Sequence, residues 1–207
     1  DFQAAGAGTT ADSGENFART VRAATNYDLT KGVNSGTLGT TEYATGFDLF
    51  EDKDNVEIDF LIAPGMTTTG DQTTVVNDLV STASSTRKDC IVVTSPARDD
   101  VVNVTSAATA TTNIAATAAT FTQSSYLVMD GNYLKVFDKF NDQFIQVPAA
   151  SSTAGIMAAT DRNAAPWFSP AGGRRGQYLG ITAIDYTPTK AQRDTLYKAG
   201  VNPIANI

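Results

Sequence analysis

Residues 89–97, DCIVVTSPA, decide the architecture. Ile91, Val92 and Val93 form a short unbroken apolar run bounded by Asp89 and by Ser95-Pro96, without the alternation of a half-exposed strand. Such a run predicts a central strand covered on both faces. Upstream, NVEIDFLIAPG (55–65) alternates Val56, Ile58, Phe60 and Ile62 and stops at Pro64-Gly65, which predicts a second strand. Between the two, Asp71 is expected to cap a helix whose apolar stripe is Val75, Val76, Leu79, Val80 and Ala83. EYATGFDLFED (42–52) places Tyr43, Phe47 and Phe50 at i, i+4 and i+7, so a further helix comes first. Helix, strand, helix, strand with short links is the pattern of an α/β layered sheet, and parallel strands joined through a helix are the default connection.

Downstream, residues 99–120 read as one Ala- and Thr-rich helix capped by Asp99 or Asp100. SSYLVMDGNYLKVFD (124–138) carries two apolar runs about Asp130-Gly131 and reads as strand, turn, strand. KFNDQFIQVP (139–148) adds a turn at Asn141-Asp142 and a strand ending at Pro148. AASSTAGIMAATDR (149–162) is a short helix, and GQYLGITAIDY (176–186) a strand. In the last helix Thr187 or Thr189 is the N-cap, Thr189 and Gln192 form a capping box, and Leu196 and Ala199 face inward. Gly200 takes the position after the helix and Pro203 prevents its resumption. The expected fold is α/β: a layered mixed sheet with helices packed on it, plus a β-hairpin extension. Its body spans 41–207. Residues 1–40, rich in Gly, Ala and Thr, read as an irregular connector or the edge of a domain that is missing. The opening DFQAAGAGTTADSG has no initiator Met and reads as the interior of a longer protein.

Composition narrows the chemistry. The 207 residues contain no histidine, which removes the commonest general base and zinc ligand together with every Ser-His-Asp or Cys-His arrangement. Cys90 is the single cysteine and lies in an apolar run, where a thiol acts as a small hydrophobe. The formal net charge of −7 argues against a nucleic-acid surface. No apolar stretch approaches the roughly 18 residues of a membrane span. Asp99-Asp100, Asp138 with Asp142, and Glu51-Asp52-Asp54 lie at expected caps or turns, where Asp serves the backbone. DKFNDQ lacks the Gly and terminal Glu of a calcium loop. APWFSPAGGRRGQYLGI (165–181) looks at first like an anion loop. It precedes a strand instead of joining a strand to a helix, and it lacks the Gly-Lys-Ser/Thr ending of a phosphate loop. No catalytic residue, cofactor or metal is expected.

The ordered phrases RKDCIVVTSPARDDVV (87–102), SSYLVMDGNYLKVFDKFNDQFIQVP (124–148), AGIMAATDR (154–162), PWFSPAGGRRG (166–176) and TPTKAQRDTLYKAGVNPI (187–204) resemble the tail sheath protein of contractile-tailed bacteriophages, from about Phe47 to Ile204. In two places the sequence departs from that pattern. The family commonly has an Arg before Thr-Asp where this chain has Ala158-Ala159-Thr160-Asp161-Arg162, so a charge contact is either lost or carried by Arg162. Phe144 stands near the family's usual Trp.

The resemblance implies a non-enzymatic sheath subunit, here a central fragment without the N-terminal arm and C-terminal domain. Such subunits form helical rings around a tail tube and contract to drive genome ejection through the host envelope. The implied partners are other copies of the chain, the tail tube, and baseplate and tail terminator proteins, with no direct nucleic acid and no membrane insertion. The implied location is the virion, after assembly in the host bacterial cytoplasm. A related machine, a secretion sheath or tailocin, is the second reading, and a small α/β nucleotide-binding enzyme the third. Arg162, Arg174, Arg175 and Lys198 are expected to contact neighbouring copies, with Asp99, Asp138 and Asp142 as possible carboxylate partners. Trp167 and Phe168 are expected to anchor their loop in the body.

Overall fold

The computed structural model describes residues 38–206. The expectation for residues 1–40 therefore lies outside the described residues, apart from its last three.

The central apolar run forms β2 (Ile91–Thr94), the middle strand of a parallel sheet. β1 (Phe60–Ile62) pairs on one side, with Phe60 opposite Ile91, and β3 (Leu127–Met129) on the other, with Thr94 opposite Met129. Both faces are covered, which explains the lack of alternation in β2. On one face Leu61, Val92 and Met129 join the main core with Val75, Val76, Leu79 and Val80 of α2 (Thr69–Ser81) and Ile114 of α4 (Ala107–Thr120). On the other, Phe60 and Val93 pack against Ala150, Ala154 and Met157 of α5 (Ala150–Asn163). The expected strand over 55–65 shrinks to three residues. Leu61 is buried and Ile62 exposed, the reverse of the expected parity, and the Val56 carbonyl is taken by an arginine instead of a neighbouring strand.

Three helix boundaries differ from expectation. α1 (Thr40–Asp48) ends before Phe50, though Tyr43 and Phe47 do pack on the core. Thr68, not Asp71, caps α2: its hydroxyl accepts from the Asp71 N–H at 3.2 Å and donates to the Asp71 carboxylate at 2.8 Å. The expected helix over 99–120 is two helices, the single turn α3 (Arg98–Val101) and α4, which Ser106 caps through the Thr109 N–H. Asn103 lies between them at φ 63, outside helical space.

The Asp130-Gly131 turn does not close a hairpin. β3 ends at Met129 in the parallel sheet, and β4 (Tyr133–Asp138) starts a second, antiparallel sheet of order β5-β4-β6. The chain changes sheets here because the C-terminal segment takes the next position beside β3: the Asn202 N–H donates to the Met129 carbonyl at 2.8 Å and the Gly131 N–H to the Asn202 carbonyl at 3.0 Å. Only glycine fits that approach, since a Cβ on Gly131 would stand 2.9 Å from a methyl of Val201. The hairpin extension is β4 with β5 (Gln143–Pro148), in register from Tyr133–Pro148 to Asp138–Gln143. The strand expected over 176–186 is reduced to β6 (Ala183–Ile184), preceded by Gly180 at φ 75. α6 (Gly172–Arg175) is a single turn in the loop, and α7 (Lys190–Lys198) has the expected capping box, with Thr189 and Gln192 bonding reciprocally.

Buried polar side chains tie these layers together. Gln72 of α2 is fully buried; its amide oxygen accepts from the Met66 N–H at 2.7 Å and its nitrogen donates to Thr94 Oγ1 and the Ser95 carbonyl. Ser95 Oγ accepts from the Ala150 N–H at 3.0 Å, so the end of β2 caps α5 from outside that helix. Cys90 is buried and unpaired, and burial raises its pKa, as for an inert thiol.

Candidate assembly surfaces

The hairpin projects an apolar tip. Phe140 is 87% exposed, and Phe137, Phe144 and Ile145 are exposed beside it. Phe137 and Phe144 face each other across the strands with ring centroids 5.2 Å apart, and the Lys139 ammonium lies 5.2 Å from the Phe140 centroid. Asp138 shapes the turn: its carboxylate accepts from Asn141 Nδ2 at 2.6 Å and the Phe140 N–H at 2.9 Å, and these bonds hold its pKa below the usual carboxylate range. Asp142 supplies the left-handed residue, φ 52.

The second surface is the loop between α5 and β6. Trp167 is 82% exposed and Phe168 44%, so neither packs into the body of the single chain as expected. Phe168 instead carries the Arg175 guanidinium 5.1 Å above its ring. Gly172, at φ 80, lets the backbone enter α6, and Arg174 and Arg175 are exposed.

Between this loop, α5, the end of β3 and the C-terminal segment lies an open groove of about 1020 Å³. Its walls include Met157, Pro170, Leu179 and Ile181, and Asp130 lies at its base. Asp130 is 2% exposed; Oδ1 accepts from Asn202 Nδ2 at 3.4 Å, and Oδ2 has no hydrogen-bond partner among the described residues. Burial pushes its pKa up to about 6, against the opposing pull of Thr153 and Asn202. Above it, Tyr178 OH and Thr153 Oγ1 share a 2.8 Å hydrogen bond.

The raised value has a measurable consequence. The folded chain binds a proton on Asp130 more tightly than the unfolded chain, whose value is near 3.8. Asp130 therefore favours the folded state most below about pH 4, and this contribution is lost as pH rises through about 6, by about 2–3 kcal/mol. Urea unfolding of wild type and Asp130→Asn at about pH 4 and pH 7 should show this slope in wild type only; parallel pH profiles would refute it.

Of the residues expected to meet neighbouring copies, the structure groups Asp138 and Asp142 at the hairpin turn and Arg174 and Arg175 in the loop that follows Arg162 at the end of α5. Asp99 is exposed on α3 and Lys198 on α7. None of the seven pairs with another within the described residues; the ion pair there is Arg87–Asp89. Asp130 carries no mark in the sequence: Asp-Gly is an ordinary turn signal, and nothing local shows that the carboxylate is buried. The exposed aromatics did carry a signal, a cluster of Phe137, Phe140 and Phe144 about a turn.

Among the described residues no group of three or more His, Cys, Asp or Glu could hold a metal, and no helix is long and apolar enough to cross a membrane. A two-sheet α/β body that displays aromatic side chains on a hairpin and a loop has the build of an assembly subunit. Residues 36–206 match the family model described as phage tail sheath protein central domain, and the chain belongs to that family. The tail sheath protein of Enterobacteria phage T4 is 33% identical over 168 residues, covering 76% of this chain and 25% of that protein. That of Vibrio phage KVP40 is 44% identical over 81 residues, covering 39% of this chain and 12% of that protein. The chain thus spans a quarter or less of these relatives. Among solved structures, the helical sheath of the anti-feeding prophage in its contracted state matches with TM-score 0.56 at 18% identity, covering 80% of this chain and 39% of that one. A chain of the anti-feeding prophage baseplate matches equally well, covering 38% of its length, and both likenesses are of fold.

Proposed function

We propose that the chain is the central body of a non-enzymatic contractile tail sheath subunit. The observation that carries this reading is the family match across 36–206. Copies stack as helical rings around the tail tube and contract to drive genome ejection through the host envelope. Baseplate and tail terminator proteins bind the ends of the sheath. The protein is a virion component assembled in the host bacterial cytoplasm. Residues 41–207 act as the body domain and residues 1–40 as a connector. The physical requirements are a rigid body, heterologous contacts that propagate as an open helix, and two packings of different energy. The layered core, joined across its faces by Gln72 and Ser95, supports the first requirement. A second reading, a sheath subunit of a related injection machine, is favoured by the fold likeness to the anti-feeding prophage. Arg162, Arg174, Arg175 and Lys198, with Asp99, Asp138 and Asp142, remain proposed inter-copy contacts.

Electron microscopy of the full-length protein expressed alone tests the reading. Long tubular assemblies are the expected result, and a discrete monomer at high concentration would overturn it. Adjacent capsid and terminase genes would favour the phage over the related machine.

A further inference from the structure

We propose that the aromatic, arginine-bearing loop 162–175 of one copy docks on the acidic link between α1 and β1, residues 48–59, of a second copy. The inference rests on the homo-assembly reading above and adds which surfaces meet.

The loop suits a carboxylate-rich partner. Residues 162–184 carry Arg162, Arg174 and Arg175 and no Asp or Glu. All three arginines are exposed, and none forms an ion pair among the described residues. Trp167 and Phe168 stand exposed in the same loop, with Arg175 already held over the Phe168 ring. Tryptophan and arginine are the side chains that interfaces favour, since each covers a broad flat area and keeps a polar edge.

The link has the complementary chemistry. Asp48, Glu51, Asp52, Asp54, Glu57 and Asp59 are exposed there against a single lysine, Lys53. The buried Arg87 guanidinium beneath them is taken up by the Phe50 and Val56 carbonyls and by Asp89. Like charges crowd this surface: burial, and then the charges of Asp48 and Glu51, raise the pKa of Asp78 on α2. Among these carboxylates Leu49 is 74% exposed and Phe50 38%, so the link offers apolar area as well as charge. The other carboxylates offer less. The hairpin turn sets Lys139 between Asp138 and Asp142, and Asp138 is already bonded within that turn. Asp99 has Arg98 as its neighbour.

The two surfaces belong to opposite faces of the parallel sheet. The link follows α1, which packs on the core with α2, and Glu51 accepts from Thr82 at the end of α2. The loop follows α5 on the other face, and Tyr178 ties its return to Thr153 of α5. A contact between unlike patches on opposite faces is heterologous and propagates as a ring or an open helix.

The test uses the full-length protein with charges reversed. A loop version carries Arg174→Glu and Arg175→Glu, a link version Asp48→Lys and Asp54→Lys, and a third version carries all four. Thermal midpoints by circular dichroism check that each is folded; where one is not, Arg174→Gln with Arg175→Gln, or Asp48→Asn with Asp54→Asn, reads the same loss. Association is followed by sedimentation velocity and tubes by electron microscopy. Wild-type association should weaken with added salt, and each reversed version alone should associate about tenfold more weakly or worse. The version with all four changes, and an equal mixture of the other two, should regain association. Undiminished association of the loop or link version would overturn the docking, and persistent tubes would leave the sheath reading standing. Loss without recovery in the version with all four changes would overturn the pairing and give the loop a different partner. Recovery seen by sedimentation without tubes in wild type would support the docking and count against the sheath reading. A wild type that does not associate at all would overturn both.

Discussion

Arg87→Met should leave a chain that no longer unfolds cooperatively at ordinary temperature, a larger loss than any single apolar truncation in the core. Arg87 ends the π-helical turn Thr82–Arg87 that continues α2, and its side chain is fully buried. Nη1 donates to the Phe50 carbonyl at 2.6 Å and Nη2 to the Val56 carbonyl at 2.8 Å; Nε and Nη2 grip both oxygens of Asp89 at 2.9 and 3.0 Å. These bonds hold the link between α1 and β1, which has no strand partner of its own. Methionine fills the space but leaves the Phe50 and Val56 carbonyls without this donor, while the exposed Asp89 carboxylate turns to water. Lysine should not rescue the fold, because one ammonium cannot reproduce a planar fork aimed in three directions. Thermal unfolding followed by far-ultraviolet circular dichroism tests this: an Arg87→Lys midpoint close to wild type would sink the account.

Leu196→Ala should cost about 3–5 kcal/mol, as for other fully buried leucines truncated where the surroundings cannot collapse. Leu196 is the buried residue of α7, so that helix has no second apolar anchor of equal depth. Its neighbours are constrained: Leu196 Cδ1 would lie 3.6 Å from a Cβ on Gly131, and Val201 donates its N–H back to the Leu196 carbonyl. Urea unfolding read by circular dichroism measures the loss; Trp167 is too exposed to report on it. A loss under about 1 kcal/mol would mean the site relaxes, contrary to this packing.

The parts of the fold legible in the sequence were those whose signals are local. The apolar run of β2, the stripe of α2 and the Thr189–Gln192 capping box each lie within a dozen residues, and the structure has all three. The switch between sheets at Asp130-Gly131 was not legible. It depends on Asn202, which takes the place beside β3 that a hairpin strand would have filled. Arg87 was silent for the same reason, since its backbone acceptors lie 37 and 31 residues earlier. Helix caps were misplaced by a few residues because Thr68 and Ser106 compete with nearby aspartates for the same role. At the surface, charge is readable and exposure is not: the sequence marks the arginines, whereas the burial of the Asp130 carboxylate exists only once the chain is folded.

The C-terminal segment has a mechanical consequence. Asn202 is stitched to β3 of the parallel sheet, and two residues later Ile204 is seated with Leu134 and Ala149 in the core under the antiparallel sheet. The Asn132 amide between the sheets also reaches the Ile204 carbonyl. A pull on the Asn202–Ile204 segment therefore bears on both sheets within three residues of backbone. The two sheets are thus tied to one another through this segment as well as through the chain between β3 and β4.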